Sequence, residues 1–240
     1  MKLLCILSIV FVVSFVVWDR LTRKYVNFWR LIFVCGPKGS GKTSDMSKRL
    51  VKAKRSGQTV YCNVRVPGCY YIEADKDIGK YEFEENSLVL VDEAGSIWDK
   101  RSYKDFPAYV RNWFQLQRHY KLTVVLYSQD WDVDAKIRKL CDEMYILEKY
   151  FRVVSIGKGI YKKICINEST AEASSNVDHN LHYMPLLSPR SRTFTFIPKW
   201  AGIFDSFVAP KLPYKPFEYI EIPQELNKLY HIKKNENRDE

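Results

Sequence analysis

The sequence predicts an α/β fold, a mostly parallel sheet flanked by helices. Three observations predict it. The runs "RLIFVC", "TVYCNV", "SLVLVDEAG" and "KLTVVLYSQD" are short and almost continuously apolar, as strands buried on both faces are. Segments with helical patterning alternate with these runs, which is how parallel strands are joined. Between the first run and the first helix stands "GPKGSGKT", Gly36 to Thr43, a full match to G-x-x-x-x-G-K-[ST]. A strand before that loop and a helix after it make the core a P-loop NTPase.

The elements follow in order. Leu3 to Trp18 carries no charge, and only Ser8 and Ser14 are polar. As a helix it is roughly 24 Å long, against a hydrocarbon core of roughly 30 Å. The expectation is a single N-terminal transmembrane helix. A cleaved signal peptide fits less well, because "WDRLTRKY" offers no small-x-small site. A buried core helix is the other alternative. Arg20, Arg23, Lys24 and Arg30 follow the run, while Lys2 precedes it. The positive-inside rule then keeps the following domain in the cytoplasm.

"RLIFVC" is the first strand, and Thr43 to Ser56 a helix closed by Gly57. "TVYCNV" is the second strand, and residues 65–87 read as a loop with minor structure. "SLVLVDEAG" is a buried strand ending in acids. "DFPAYVRNWFQLQRHY" is an amphipathic helix with Phe106, Val110, Trp113, Phe114 and Gln117 along one side. "KLTVVLYSQD" is a further buried strand, and "WDVDAKIRKLCD" a short helix. "EMYILEKYFRVVSIGKGIYKKICI" alternates and reads as a strand plus a hairpin turning at Gly157-Lys158-Gly159. Beyond Ile166 the texture changes, with seven of the ten prolines between Pro185 and Pro223. The expected organisation is an anchor with a basic juxtamembrane linker (1–29), a P-loop ATPase domain (30–166), and an irregular, Pro-rich C-terminal segment with a disordered end (167–240).

The charge is lopsided. Residues 1–60 carry twelve Lys/Arg and two Asp/Glu, and residues 61–240 carry twenty-six of each sign, so the whole +10 lies near the anchor. Such a cluster suits an anionic lipid surface better than a general nucleic-acid-binding face. The six cysteines contain no CxxC pair, so metal and disulfide readings are weak. A reducing compartment fits.

In the loop Gly36, Pro37, Lys38, Gly39, Ser40, Gly41, Lys42, Thr43 and Ser44 are the expected nucleotide-binding residues. Backbone N–H groups and the helix N-terminus favour phosphate. Lys42 supplies a charge to the β- and γ-phosphates, and Thr43 an oxygen to Mg²⁺. Lys38 stands at a variable position and reads equally as solvated. "LVLVDEA" ends its strand at Asp92, expected to hold Mg²⁺ through water, and Glu93, expected to polarise the attacking water. Ligands bind at that edge of open α/β sheets. Gln129 ends the next strand, either as a sensor of the γ-phosphate or as a cap for backbone groups. Arg111, Arg118 and Arg138 are arginine-finger candidates or solvated helix faces. The only Asn-Lys is "NKLY" in the tail, which is no N-K-x-D base reader, and this disfavours a GTPase, so the expected cofactors are ATP and Mg²⁺.

The series "GPKGSGKT", "GQTVYCNV", "LVLVDEAG", "WFQLQRHY" and "LTVVLYSQDWDVDAKIRKL" resembles the zonular occludens toxin family, the assembly ATPases of filamentous phages, within the FtsK/HerA-like group of DNA-pumping ATPases. The more specific part is the spacing from Arg118-His119 to Gln129 and Ile137-Arg138. The resemblance covers residues 30–166. It implies an ATPase of the host inner membrane that helps extrude phage DNA. It also implies a homo-oligomeric ring, such as a hexamer, with phage assembly and coat proteins and single-stranded phage DNA or its nucleoprotein complex as partners. Familiar members place the ATPase before the membrane helix, and here the apolar run comes first. The toxin activity in the family's name belongs to an exported part and is not carried over. The alternatives are a plasmid DNA-translocating or conjugative-coupling ATPase, a non-catalytic nucleotide-binding scaffold, and a small-molecule kinase.

Overall fold

The computed structural model describes residues 2–22, 25–98, 107–130, 133, 135–166, 177–186, 188 and 190–203. The chain divides into residues 1–206 and 207–240, and the second unit lies outside the described residues.

Helix α1, Lys2–Thr22, precedes strand β1, Leu31–Cys35. The phosphate loop leads into α2, Lys42–Arg55. Then come β2, Val60–Cys62; β3, Tyr70–Tyr71; α3, Ala74–Asp77; and β4, Leu88–Val91. The acidic turn opens α4, Ala94–Ile97, followed by α5, Ala108–Leu116, and β5, Thr123–Ser128. The chain continues through α6, Ala135–Leu140; β6, Glu143–Tyr150; β7, Val154–Ile166; β8, Val177–Tyr183; β9, Arg192–Phe196; and α7, Ile197–Trp200.

Among the described residues these strands form one nine-stranded sheet, ordered β3-β2-β4-β5-β1-β6-β7-β8, with β9 also on β7. From β3 to β6 all pairs are parallel, as the apolar runs require. Helix α2 covers one face, packing Met46, Leu50 and Ala53 on Ile32, Val34, Leu90 and Tyr127. Helices α5 and α6 cover the other, with Val110, Trp113, Phe114 and Ile137 over Phe33, Val89, Val91 and Leu126. Each large apolar side chain fully buried this way contributes about 1.5–3 kcal/mol. Strand β5 lies between β1 and β4, so the strand ending in Gln129 separates the loop from the acidic turn and touches both.

Two expectations change. The hairpin after β6 turns at Phe151-Arg152, and Gly157-Lys158-Gly159 lies inside β7. These glycines serve packing. A Cβ at Gly157 would strike the Thr193 side chain, and one at Gly159 would stand 3.0 Å from the Arg190 carbonyl oxygen. The antiparallel pairing also continues past Ile166, where β8 and β9 join β7. The long β7 spans both, because its first half pairs with β9 and its second with β8.

The described apolar side chains of α1 are exposed on every side, Leu7 at 61%, Phe11 at 73% and Phe15 at 63%, so α1 is not the core helix considered as an alternative. Among the described residues no helix is long and apolar enough to cross a membrane. Side chains in α1 are described from Leu7 onward, so the expected span from Leu3 to Trp18 lies partly outside them. The end of the linker is fastened to the sheet. Arg30 donates to Glu143 Oε1 at 2.5 Å and to the Asn27 carbonyl, and Leu31 N–H donates to Asp142 at 2.8 Å. Arg30 is therefore an ion-pair partner of the β6 start rather than a free juxtamembrane cation.

Candidate nucleotide-binding and hydrolysis site

The loop leaves β1 at Cys35, and Gly36 N–H donates to the Ser128 carbonyl at the end of β5. Two glycines meet specific demands. A Cβ on Gly36 would come within 2.7 Å of the Leu147 carbonyl oxygen and 2.8 Å of Ser40 Oγ. Gly41 is the N-cap of α2 at φ 100°, and a Cβ there would lie 2.7 Å from Ser155 Cβ. With glycine at the cap, no side chain competes for the first-turn N–H groups of α2, which have no intrahelical partner. That leaves a positive helix end facing the loop, where anions bind. Ser40 Oγ is buried and has no hydrogen-bond partner among the described residues. Pro37, Lys38 and Gly39 are exposed, Lys42 and Thr43 half-buried, and Ser44 buried.

Lys42 folds back on the loop. Its ammonium donates to the carbonyls of Gly36 at 2.6 Å and Pro37 at 3.1 Å. Burial lowers its pKa, while the charges of Glu93 and Asp92 oppose the shift. Both carboxylates therefore lie within electrostatic reach of the lysine. The next residue past the loop, Asp45, is fully buried. It accepts from Arg49 Nε at 2.8 Å, from the Tyr127 hydroxyl of β5 at 3.0 Å and from the Thr195 hydroxyl of β9 at 3.0 Å. The first turn of α2 is thus tied to two strands by one carboxylate. Strand β7 adds a third tie, because the Ser155 hydroxyl donates to the Ser40 carbonyl at 2.6 Å.

The acidic turn follows the wholly buried β4. Glu93 occupies the left-handed region at φ 51°, ψ 41°, where a non-glycine residue costs about 1–2 kcal/mol. Its N–H donates to Asp92 Oδ1 at 3.0 Å. Gln129 Nε2 donates to Glu93 Oε1 at 2.7 Å. Burial raises the Asp92 pKa, and the neighbouring Glu93 charge adds to it, against the pull of Lys42 and the Glu93 N–H. A cation beside Asp92 would relieve that penalty. Among the described residues no group of three or more His, Cys, Asp or Glu could hold a metal ion. Mg²⁺ needs no such cage, since it keeps waters and phosphate oxygens around one or two protein ligands. The Thr43 hydroxyl and Asp92 carboxylate are a hard-oxygen pair that fits it.

The three arginines differ in setting. Arg111 is exposed on α5. Arg118 is exposed just before β5, at the strand end opposite the loop. Arg138 Nε donates to the Val133 carbonyl at 2.9 Å. Burial pushes the Cys62 thiol up to about 12 and raises Cys69 as well, so these thiols are inert. Sequence reading missed Asp45, Ser155, Thr195 and Asn63. Asp45 had a signal, being an acid next to a phosphate loop. The others lie far along the chain from what they hold.

The zonular occludens toxin family model matches residues 71–186. That match begins after the phosphate loop, so loop and match are independent observations. No curated protein matches the sequence. Among solved structures, the chain is similar to the N-terminal domain of zonular occludens toxin from Neisseria meningitidis, with 17% identity over 66% of this chain and 95% of that one and a TM-score of 0.44. It is similar to the genome packaging NTPase B204 of Sulfolobus turreted icosahedral virus 2 in complex with AMP, with 15% identity over 52% and 78% and a TM-score of 0.42. The flagellar accessory protein FlaH of Methanocaldococcus jannaschii shows 10% identity over 54% and 77%, with a TM-score of 0.43. Over residues 71–186, just under half of its length, the chain is thus similar to the zonular occludens toxin family; a complete phosphate loop precedes that stretch, and the Asp-Glu turn lies within it.

Proposed function

We propose that this protein is a membrane-anchored ATPase. It hydrolyses Mg-ATP to drive filamentous-phage assembly and the extrusion of phage DNA through the host envelope. It acts as a ring of identical subunits in the host inner membrane, with its ATPase domain in the cytoplasm. Phage assembly and coat proteins and the single-stranded DNA or its nucleoprotein complex are its partners. The observation that carries hydrolysis is the contact of Gln129 with Glu93, in a turn whose Asp92 follows the buried β4. A scaffold that only bound nucleotide would need the loop and not this acid-amide pair. The exposed apolar girth of α1 supports the anchor.

In the chemistry that follows, magnesium when bound neutralises charge on the β- and γ-phosphate oxygens. Lys42 leaves the Gly36 and Pro37 carbonyls for the phosphates. The N–H groups of the loop and of the first turn of α2 fix the phosphate chain. Glu93 accepts a hydrogen bond from the attacking water and draws off its proton, and Gln129 holds that carboxylate in line. Charge stabilisation by a preorganised donor of this type supports about 10²–10³-fold in rate.

The test is Lys42→Ala in detergent-solubilised protein and in an infected host. ATP hydrolysis should fall by about 10²–10³-fold, and virion release should stop while phage DNA replication continues. Normal virion yield from that variant would refute the reading. Turnover abolished with release intact would point to a scaffold.

A further inference from the structure

We propose that Asn63 is a positioning residue for the hydrolytic turn, holding the Asp92 peptide so that Asp92 and Glu93 both face the phosphate loop. The inference rests on the ATPase reading above. Asn63 follows β2, whose last pair with β4 is Cys62 with Leu90. Its own N–H continues that ladder by donating to the Leu90 carbonyl at 3.3 Å. Past this point the β2–β4 pairing ends, and the Asn63 side chain takes over. Its Nδ2 donates to the Asp92 carbonyl at 2.9 Å, and its Oδ1 accepts from the Asp92 N–H at 2.7 Å. One planar amide thus satisfies both polar groups of one residue, as a neighbouring strand would.

What is held there is not at rest. Glu93 stands at φ 51°, a conformation non-glycine residues keep only when their surroundings impose it. The turn has two lateral fastenings: Asn63 grips Asp92 from the β2 side, and Gln129 grips the Glu93 carboxylate from the β5 side. The Gln129 contact is to a side chain that must act on water, so it must be exchangeable. The Asn63 contact is to backbone alone and persists whatever Glu93 does. An amide is the group that supplies donor and acceptor together at this reach. Aspartate supplies the acceptor alone and adds a third carboxylate, and alanine supplies neither.

The test uses the full chain in detergent with Asn63→Ala and Asn63→Asp. Three quantities are read: kcat and KM for ATP, the affinity for a non-hydrolysable ATP analogue with and without Mg²⁺, and Tm. Losing a partner that orients a metal ligand lowers metal affinity or activity by about 10- to 100-fold. The expected result is a kcat loss of that size in both variants, with KM and the Mg²⁺-free analogue affinity unchanged and the gain in affinity on adding Mg²⁺ reduced. If kcat and the Mg²⁺ gain both match wild type, the proposal is overturned. It is also overturned if Mg²⁺-free affinity and Tm fall in step with kcat, because Asn63 would then only be holding the fold. Should Asn63→Ala fail to fold, Asn63→Asp decides by the same readings. If the wild-type protein shows no turnover, the ATPase reading fails by itself, and the Mg²⁺ gain still settles the role of Asn63.

Discussion

The two halves of the sheet divide the work. From β3 to β6 the strands are parallel, and β1, β4 and nearly all of β5 are buried on both faces and lead into the candidate site groups: the loop after β1, the acids after β4 and Gln129 after β5. From β7 onward the strands are antiparallel and one-sided. Along β9, Thr195 is buried against α2, while Phe194 and Phe196 are 61% and 53% exposed. This half contributes Ser155 and Thr195, and both bond to the loop or to the helix it opens. The parallel half supplies charge, and the antiparallel half supplies hydroxyls that hold the loop in shape. Opposite strand direction makes this possible, because β7 returns along β6 and passes the loop that leaves β1 in the same direction as β6.

The sharpest way to break that comparison is to cut the residue where the halves meet. Asp45→Asn removes the charge that Arg49 and Lys48 both face. Leaving two half-buried cations without their buried partner costs up to about 3–5 kcal/mol. Urea unfolding at neutral pH should show a loss of that size. The pH dependence checks the cause. Burial alone would raise the Asp45 pKa, but the charge and hydrogen bond of Arg49, with Lys48 and the Thr195 hydroxyl, outweigh it and hold the carboxyl below its ordinary range. A depressed folded pKa means the contribution is fully present above the unfolded value of about 3.9 and is lost as pH falls through the folded one. Wild-type stability should therefore fall below about pH 4, and the variant should lack that component. Equal acid sensitivity in both proteins would remove Asp45 from its place as the joint.

A milder cut tests whether the antiparallel half acts on the nucleotide at all. Ser155→Ala deletes one hydrogen bond to the Ser40 carbonyl, worth about 0.5–1.5 kcal/mol. The lost bond shapes the loop and touches no reacting group. The expected result is weaker analogue binding and a raised KM, up to about 10-fold for the upper energy, with kcat unchanged. A fall in kcat at constant KM would assign Ser155 to the catalytic half.

The same division explains what could be read in advance. Strands buried on both faces announce themselves as apolar runs, and their functional residues sit next to those runs: Gly36 after Cys35, Asp92 after Val91, Gln129 after Ser128. Nothing local marks Ser155 or Thr195, because what they hold lies 115 and 150 residues away. Asn63 is marked only as the residue after an apolar run, which many residues are. The hairpin was misread because Gly-Lys-Gly carries a stronger turn signal than Phe-Arg. In β7 those glycines instead make room for β9 and the segment before it. The linker joins β1 at its start and the loop leaves at its end. That sets them apart by a strand of five residues, roughly 16 Å.

The misread hairpin yields the smallest effect and the most local contrast between the halves. In the parallel half the left-handed residue of the acidic turn, Glu93, is fastened on its own carboxylate and on the peptide before it. At the β6–β7 tip Phe151 and Arg152 stand at φ 48° and 61°, and Phe151 is 90% exposed. Two consecutive left-handed residues define a type I′ turn, for which Asn-Gly is the preferred pair. Replacing both, Phe151→Asn with Arg152→Gly, relieves the strain and removes an exposed ring, against some added freedom of the unfolded glycine. The net expectation is a gain of about 0.5–1 kcal/mol, read as a higher Tm with ATP turnover unchanged. The same conformational relief at Glu93, by Glu93→Gly, should leave stability within about 1 kcal/mol and end hydrolysis. Strain at the tip can be removed without loss, and strain at the acidic turn cannot, if the two halves differ in the way their contacts indicate. A tip variant that lost ATP turnover would place part of the catalytic apparatus in the antiparallel half and dissolve the distinction.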